Sequence, residues 1–195
     1  MKRNLKLALQ GISLLAAWLP AAAAGFGRWK GPYTFFAHAY ALVPGIPGDY
    51  LRVAFYRLTL DECALSSRIS FGSFFAHPGA TLGPRAYVGS YCIIGRASIG
   101  GRVQIASGVQ VLSGSRQHVR DEEGRISGAE DGVFSPVTIG DDCWIGAAAV
   151  VMADVGAGST IGAGSVVVRP IPSRSVAVGS PARVVSQAAE YVTEP

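Results

Sequence analysis

His118 is the side chain best suited to move a proton. It stands near the start of a polar stretch, Gln117–Thr138, that carries seven charged residues and no hydrophobic period. An imidazole titrates near ~6.5, so its neutral form accepts a proton at physiological pH. In that role it would take the proton of an acceptor hydroxyl or amine. Its second ring nitrogen would need an orienting partner, and Asp121, Glu122, Glu123, Asp141 or a backbone carbonyl are the candidates. Residue type and position leave a plain solvated loop histidine as an equal reading. Other chemistries are poorly served. Ser113 and Ser115 lack a GxSxG elbow. Cys92 and Cys143 fall where side chains turn inward, and with Cys63 they read as buried, reduced thiols. His38, His77 and His118 form no closely spaced pair, so no metal site is expected.

The element that must position His118 is a six-residue period. A branched apolar residue recurs at Leu82, Val88 and Ile94, at Ile99, Ile105 and Val111, at Ile139, Ile145 and Val151, and at Val155, Ile161 and Val167. Glycine follows at 83, 89, 95, 100, 140, 146, 156 and 162. Four places on, the residue is small or β-branched, as at Ala86, Cys92, Ser98, Cys143 and Ser159. Such units cannot bury a face alone and must stack as a solenoid. The step shortens from Ile94 to Ile99 and again from Val151 to Val155, each time after three hexads. This predicts coils with three flat sides, at 82–98, 99–116, 139–154 and 155–172. The single long interruption, 117–138, is an insertion at a corner, and long loops in compact repeats are usually functional.

Residues 1–48 read as an apolar, membrane-seeking segment. Lys2, Arg3 and Lys6 precede an uncharged run to Gly27, and Arg28 and Lys30 follow it. A second uncharged stretch, 31–48, contains Tyr33, Phe35, Phe36 and Tyr40. A cleaved signal, a spanning anchor and an interfacial helix all suit this pattern, as does a helix covering the solenoid end. Membrane anchoring is the reading preferred over secretion. Residues 49–63 are expected to form a capping helix with Asp49 as its N-cap. The solenoid domain is placed at 64–172, with a C-terminal extension at 173–195 that turns away at its prolines. Charged residues make up only 15% of the chain and the net charge is +4. That charge is too small and too scattered to indicate a nucleic-acid partner.

The stretch Val137–Val185, with its DCWIG, IGAGSVV and GSPARVV elements, resembles the hexapeptide-repeat acyltransferases. These include maltose and galactoside O-acetyltransferases, serine and xenobiotic acetyltransferases, and sugar acetyltransferases of exopolysaccharide assembly. VLSGSRQH, Val111–His118, matches the place where they carry a catalytic histidine. The resemblance covers roughly residues 67–185. It implies an all-β fold, a left-handed parallel β-helix of hexapeptide repeats, against the usual crossover hand. It also implies a homotrimer with sites between subunits and acetyl-CoA as donor. His118 then matches the family's base, Trp144 lies in the DCWIG turn near the donor cleft, and Ala147 and Ala163 match backbone positions that meet the pantetheine arm. Arg169 stands where the family usually has Thr-Lys, within reach of a CoA phosphate. Arg183 matches a basic residue near the adenine-phosphate end. The polar N-terminal region with which soluble members hold their acceptor is replaced here by the apolar segment.

The expected activity is transfer of an acetyl group from acetyl-CoA to a sugar or glycoconjugate hydroxyl, without metal, in polysaccharide biosynthesis. CoA thioesters are cytosolic, so the expected place is the cytoplasm, on the inner face of the membrane. N-acetylation of a nucleotide amino sugar uses the same fold and base. A non-enzymatic β-helix scaffold would explain the period, but neither the loop at His118 nor the basic residues after the last coils.

Overall fold

In the computed structural model, residues 2–114, 123–126 and 135–187 are described. The hexads form short strands that stack into three parallel sheets. Sheet A contains Glu62–Cys63, Thr81–Leu82, Ala97–Ile99 and Val137–Ile139. Sheet B contains Arg68–Ile69, Tyr87–Val88, Gln104–Ile105, Trp144–Ile145, Thr160–Ile161 and Ser175–Val178. Sheet C contains Phe74–Phe75, Ile93–Ile94, Gln110–Val111, Val150–Val151 and Val166–Val167. Each coil visits A, B and C in turn, so the three-sided coil read from the trimmed hexads is the architecture observed. The result is a parallel β-solenoid of about five turns, consistent with left-handed winding.

Register keeps the core in columns. Cys63, Leu82 and Ile99 stack on sheet A, with Ile139, Val155 and Ile171 continuing the column. Ile69, Val88, Ile105, Ile145 and Ile161 stack on sheet B, and Phe75, Ile94, Val111, Val151 and Val167 on sheet C. All are buried. None of the eight hexad glycines has a left-handed backbone; that conformation falls two residues later, at Arg85, Tyr91, Arg102, Asp142 and Ala148 among others. The hexad glycine is there for contact. A Cβ on Gly146 would stand 2.5 Å from the Ala163 nitrogen of the next coil.

The solenoid begins earlier and ends later than the hexads indicate. The loosely patterned residues 62–80 make a complete first coil. At the other end, Ile171 bridges to Val155, and Ser175–Val178 pairs in parallel with Thr160–Ile161. Pro172 sits at a corner where no ladder N–H is required, so the chain makes part of a sixth coil before Arg183–Gln187 returns antiparallel. Ser98, expected inside, is exposed and meets Thr81 Oγ1 at 2.9 Å. The five-residue step moves the inward position to Ala97.

Three helices close the first coil: α1 (Lys2–Ala23), α2 (Lys30–Ala41) and α3 (Gly45–Thr59). The capping helix therefore starts four residues before its expected position. Pro44 holds the N-cap place, and Asp49 lies inside the helix. Asp49 instead pairs with Arg52 at 2.6 Å and Arg68 at 2.8 Å. The Arg52 side chain is fully buried and donates to the carbonyls of Ile69, Tyr40, Ala41 and Val43. Burial lowers its pKa, while the Asp49 carboxylate acts to hold the charge. Tyr33 Oη donates to the Phe75 carbonyl, and the Phe75 amide donates to Tyr56 Oη. Gln10 on α1 donates to the Leu65 carbonyl at 2.7 Å. Arg52→Ala would leave Asp49 without its buried partner and four carbonyls without this donor. We expect a loss of about 3–5 kcal/mol of stability in urea unfolding.

Candidate functional site

The loop grows from the corner between sheets C and A on the third coil. Its two feet meet there. The Ser135 amide donates to the Ser113 carbonyl at 3.2 Å. Arg96, on the coil below, holds both sides: its amide donates to Ser113 Oγ at 2.8 Å and its carbonyl accepts from the Val137 amide at 3.1 Å. Val137 is already back in sheet A and buried, so the insertion ends just before it, short of Thr138. His118 lies outside the described residues, as do Ser115, Asp121 and Glu122; Glu123 is exposed.

Asp141 occupies the corner between A and B, across the width of sheet A from the loop's feet, where its Oδ1 accepts from the Gly101 amide at 2.8 Å. Its neighbour Asp142 pairs with Arg102. The carboxylate on the loop's own corner is Asp154, one coil above, which accepts from the Thr138 amide at 2.7 Å. Arg169 stands on the same corner one coil further and is exposed. The sequence reading missed Asp154 and Arg96. Counting back one coil from Arg169 and from the loop would have found them.

The positions expected to meet the donor gather elsewhere. Trp144 is in a strand of sheet B rather than a turn, between Gln104 and Thr160, and is 57% exposed. Ala147 and Ala163 are stacked on the B–C corner, where the Gly164 amide donates to the Ala147 carbonyl at 2.8 Å. Both alanines are exposed, and their own N–H groups find no acceptor among the described residues. Ser107 occupies the equivalent place one coil below, with the same free N–H. The same unpaired N–H recurs at Asp141, Ala157 and Ser173 on the A–B corner, so it belongs to the turn geometry; at the B–C corner these donors suit carbonyls of an extended ligand. Arg183 lies on the returning strand, exposed, bonded to the Ala182 carbonyl at 3.0 Å. One chain therefore sets the loop and the amide row on two corners, separated by sheet C.

The remaining reactive groups are structural. Cys63, Cys92 and Cys143 are free and buried. Burial pushes the Cys63 thiol up to about 11 and raises the other two. Cys92 and Cys143 donate to the carbonyls of Ala106 and Gly156. Burial, then Lys30 and Arg96, lowers the His77 pKa. The His38 ring packs on Phe74. Among the described residues no cluster of three or more His, Cys, Asp or Glu could hold a metal ion. A cleft of about 440 Å³ lies between α1, α3 and the first coil, away from the loop, lined by Lys6, Gln10, Asp49 and Arg68 among others.

Residues 136–169, which bring the chain back into the solenoid and form most of its fourth and fifth coils, match the family described as the hexapeptide repeat of succinyl-transferase. A Saccharomyces cerevisiae protein provisionally named an acetyltransferase is 43% identical over 75 residues, 37% of each chain. A Staphylococcus aureus 2,3,4,5-tetrahydropyridine-2,6-dicarboxylate N-acetyltransferase is 45% identical over 58 residues, 29% of this chain and 24% of that protein. The chain thus spans well under half the length of these curated relatives. Two solved structures share the fold. A maltose O-acetyltransferase from Clostridium difficile 630 has a TM-score of 0.66 at 24% identity, covering 87% of this chain and 91% of that one. A hexapeptide-repeat acetyltransferase from Vibrio cholerae, complexed with acetyl coenzyme A, has a TM-score of 0.55 at 20% identity with the same coverage. The resemblance to hexapeptide-repeat acyltransferases read from the sequence is borne out.

Thiol chemistry gives a direct check on the buried cysteines. Maleimide should label none of the three in the native protein and all three in denaturant; rapid native labelling of Cys92 or Cys143 would reopen a nucleophilic role.

Proposed function

We propose that this chain is a CoA-dependent acyltransferase that moves an acetyl group from acetyl-CoA to a hydroxyl of a sugar or glycoconjugate, with His118 as general base. The observation that carries the reading is the single long break in the solenoid, pinned shut at Ser113 and Ser135. The relatives, named as acetyltransferases, support the reaction class.

The donor fits the residues present. Free N–H groups at Ala147 and Ala163 match the amide-rich pantetheine arm, Trp144 offers an exposed aromatic face, and Arg169 and Arg183 are exposed cations for its phosphates. The active species is a homotrimer, in which one copy's loop corner meets the B–C corner of the next. Sheet C, between those corners, supports this: Ile93, Val150 and Val166 face outward from it, whereas sheet A presents Glu62, Thr81 and Ser98.

His118 takes the proton as the acceptor oxygen attacks the thioester carbonyl. Backbone N–H groups stabilise the oxyanion. Collapse breaks the C–S bond, and the CoA thiolate leaves with the proton from the imidazolium. No covalent enzyme intermediate is needed. The reaction belongs to the cytosolic side, where the donor is made, in assembly of polysaccharide precursors at the membrane.

His118→Ala should lower acetyl transfer by about 10²–10⁴-fold while acetyl-CoA binding, measured by calorimetry, is retained. Near-normal transfer in this variant would remove His118 from the mechanism. Absence of acetyl-CoA binding in the unmutated protein would remove the enzyme reading itself. An acceptor screen of sugar hydroxyls against nucleotide amino sugars separates O- from N-transfer.

A further inference from the structure

The helical cap has an outer surface that none of the described residues covers. α1 commits one narrow stripe to the fold. Ala17, Ala21 and Ala24 are fully buried, Ser13 nearly so, and Gln10 is bonded to Leu65 of the first coil. These positions recur every three or four residues, so one face is fixed over four turns. The other face is apolar and bare: Leu15 is 79% exposed and Leu19 71%, and Leu5 and Ile12 are alike. Phe35 of α2 and Leu42 just after it are exposed as well. Trp18 and Trp29, half or more exposed, stand toward the junction of α1 and α2, with Trp18 edge-on to Phe26. A bare apolar row such as the one along α1 marks an interaction site.

Charge identifies the partner. Residues 1–48 hold five of the chain's seventeen basic residues and none of its thirteen acidic ones. The rest of the chain carries twelve cations against thirteen anions, so the whole positive excess resides in this segment. Arg28 and Lys30 follow the apolar run, while Lys6, near its start, lines the cleft toward α3 and the first coil. An apolar face with tryptophan and cations at one end is the pattern of a helix lying in an anionic lipid interface.

We infer that α1 and α2 dock this protein onto an anionic membrane surface from one side, with α1 lying in the interface and not crossing it. α1 has the length and hydropathy to span, from Asn4 to Ala23. Spanning would pull it off α3, expose Ala17, Ala21 and Ala24, and strip the Leu65 carbonyl of its donor. Cleavage after about residue 24 would do the same damage. The in-plane arrangement keeps every one of these contacts and buries only what is already bare. This deepens the membrane placement proposed above and is independent of the acetyl-transfer chemistry.

The test uses the full chain with an epitope tag at its N-terminus and vesicles of phosphatidylcholine with or without phosphatidylglycerol. Binding should require the anionic lipid and weaken with salt. Lipids brominated at shallow acyl positions should quench Trp18 and Trp29 fluorescence. The double variant L15E/L19E alters only exposed side chains and should bind at least about tenfold more weakly, with unchanged circular dichroism and acetyl-CoA affinity. Protease added outside the vesicles should remove the tag. A protected tag would establish a spanning helix and overturn the inference. So would unimpaired vesicle binding by L15E/L19E, or a lipid-indifferent protein in which this variant instead dissolves a self-association. Acetyl-CoA calorimetry on the same samples reads the solenoid separately, so failure of the membrane inference and failure of the acyltransferase reading are distinguishable.

Discussion

A stack of parallel coils must end, and the first coil has no neighbour below it. Its carbonyls at Leu65, Ile69 and Phe75 would face an open edge, costing about 1–3 kcal/mol for each one buried without a partner. Gln10, Arg52 and Tyr33 fill those three places, one from each helix of the cap. Arg52 has the largest share. The same guanidinium also binds the carbonyls of Tyr40, Ala41 and Val43, fixing the end of α2 against α3. Asp49 sets its charge and reaches across to Arg68 on the first coil. The apolar N-terminal segment is therefore structural before it is anything else. Without it the solenoid would expose a strand edge ready to pair with another chain.

This dependence explains which parts of the fold were readable from the sequence. The columns of Ile, Val and Leu were legible because a period of six with a glycine behind it admits few other structures. The cap was legible as apolar and helical, yet its mechanism was hidden. Arg52 looks like a surface cation in the pattern Tyr50, Leu51, Ala54, Phe55, and only the open carbonyls above it make burial favourable. Asp49 shows the same limit: a carboxylate after a Pro-Gly turn reads as an N-cap, but the helix began at Gly45 and the side chain found a guanidinium instead. The first coil was obscured because residues 62–80 carry Phe75 in place of a branched aliphatic. Pro172 suggested an ending that the corner geometry did not require.

The sequence offered candidate residue types for the site and said less about their places. Trp144, Ala147 and Ala163 were chosen through a resemblance. The structure adds the physical reason they stand out: exposure of a large aromatic, and amides left free by the turn rather than by the side chain. That is why Ser107, which resembles neither alanine, shares their row. Asp141 was offered as a partner for His118 because it is near the loop's end in sequence. The strand Val137–Ile139 carries it to the edge of sheet A opposite the loop's feet.

The solenoid thus divides its labour by corner. The A–B corner stacks charges that neutralise one another, Arg102 on Asp142, and Asp141 braces a backbone amide. The B–C corner presents the exposed Ala147 and Ala163, and the C–A corner holds the feet of the loop, Ser113 and Ser135. Within one chain the loop's feet, Ser113 and Ser135, and the exposed Ala147 and Ala163 stand on different corners, a sheet's width apart. The proposed trimer would use that separation: a second copy turning its B–C corner toward this C–A corner brings the two sets of residues to one cleft.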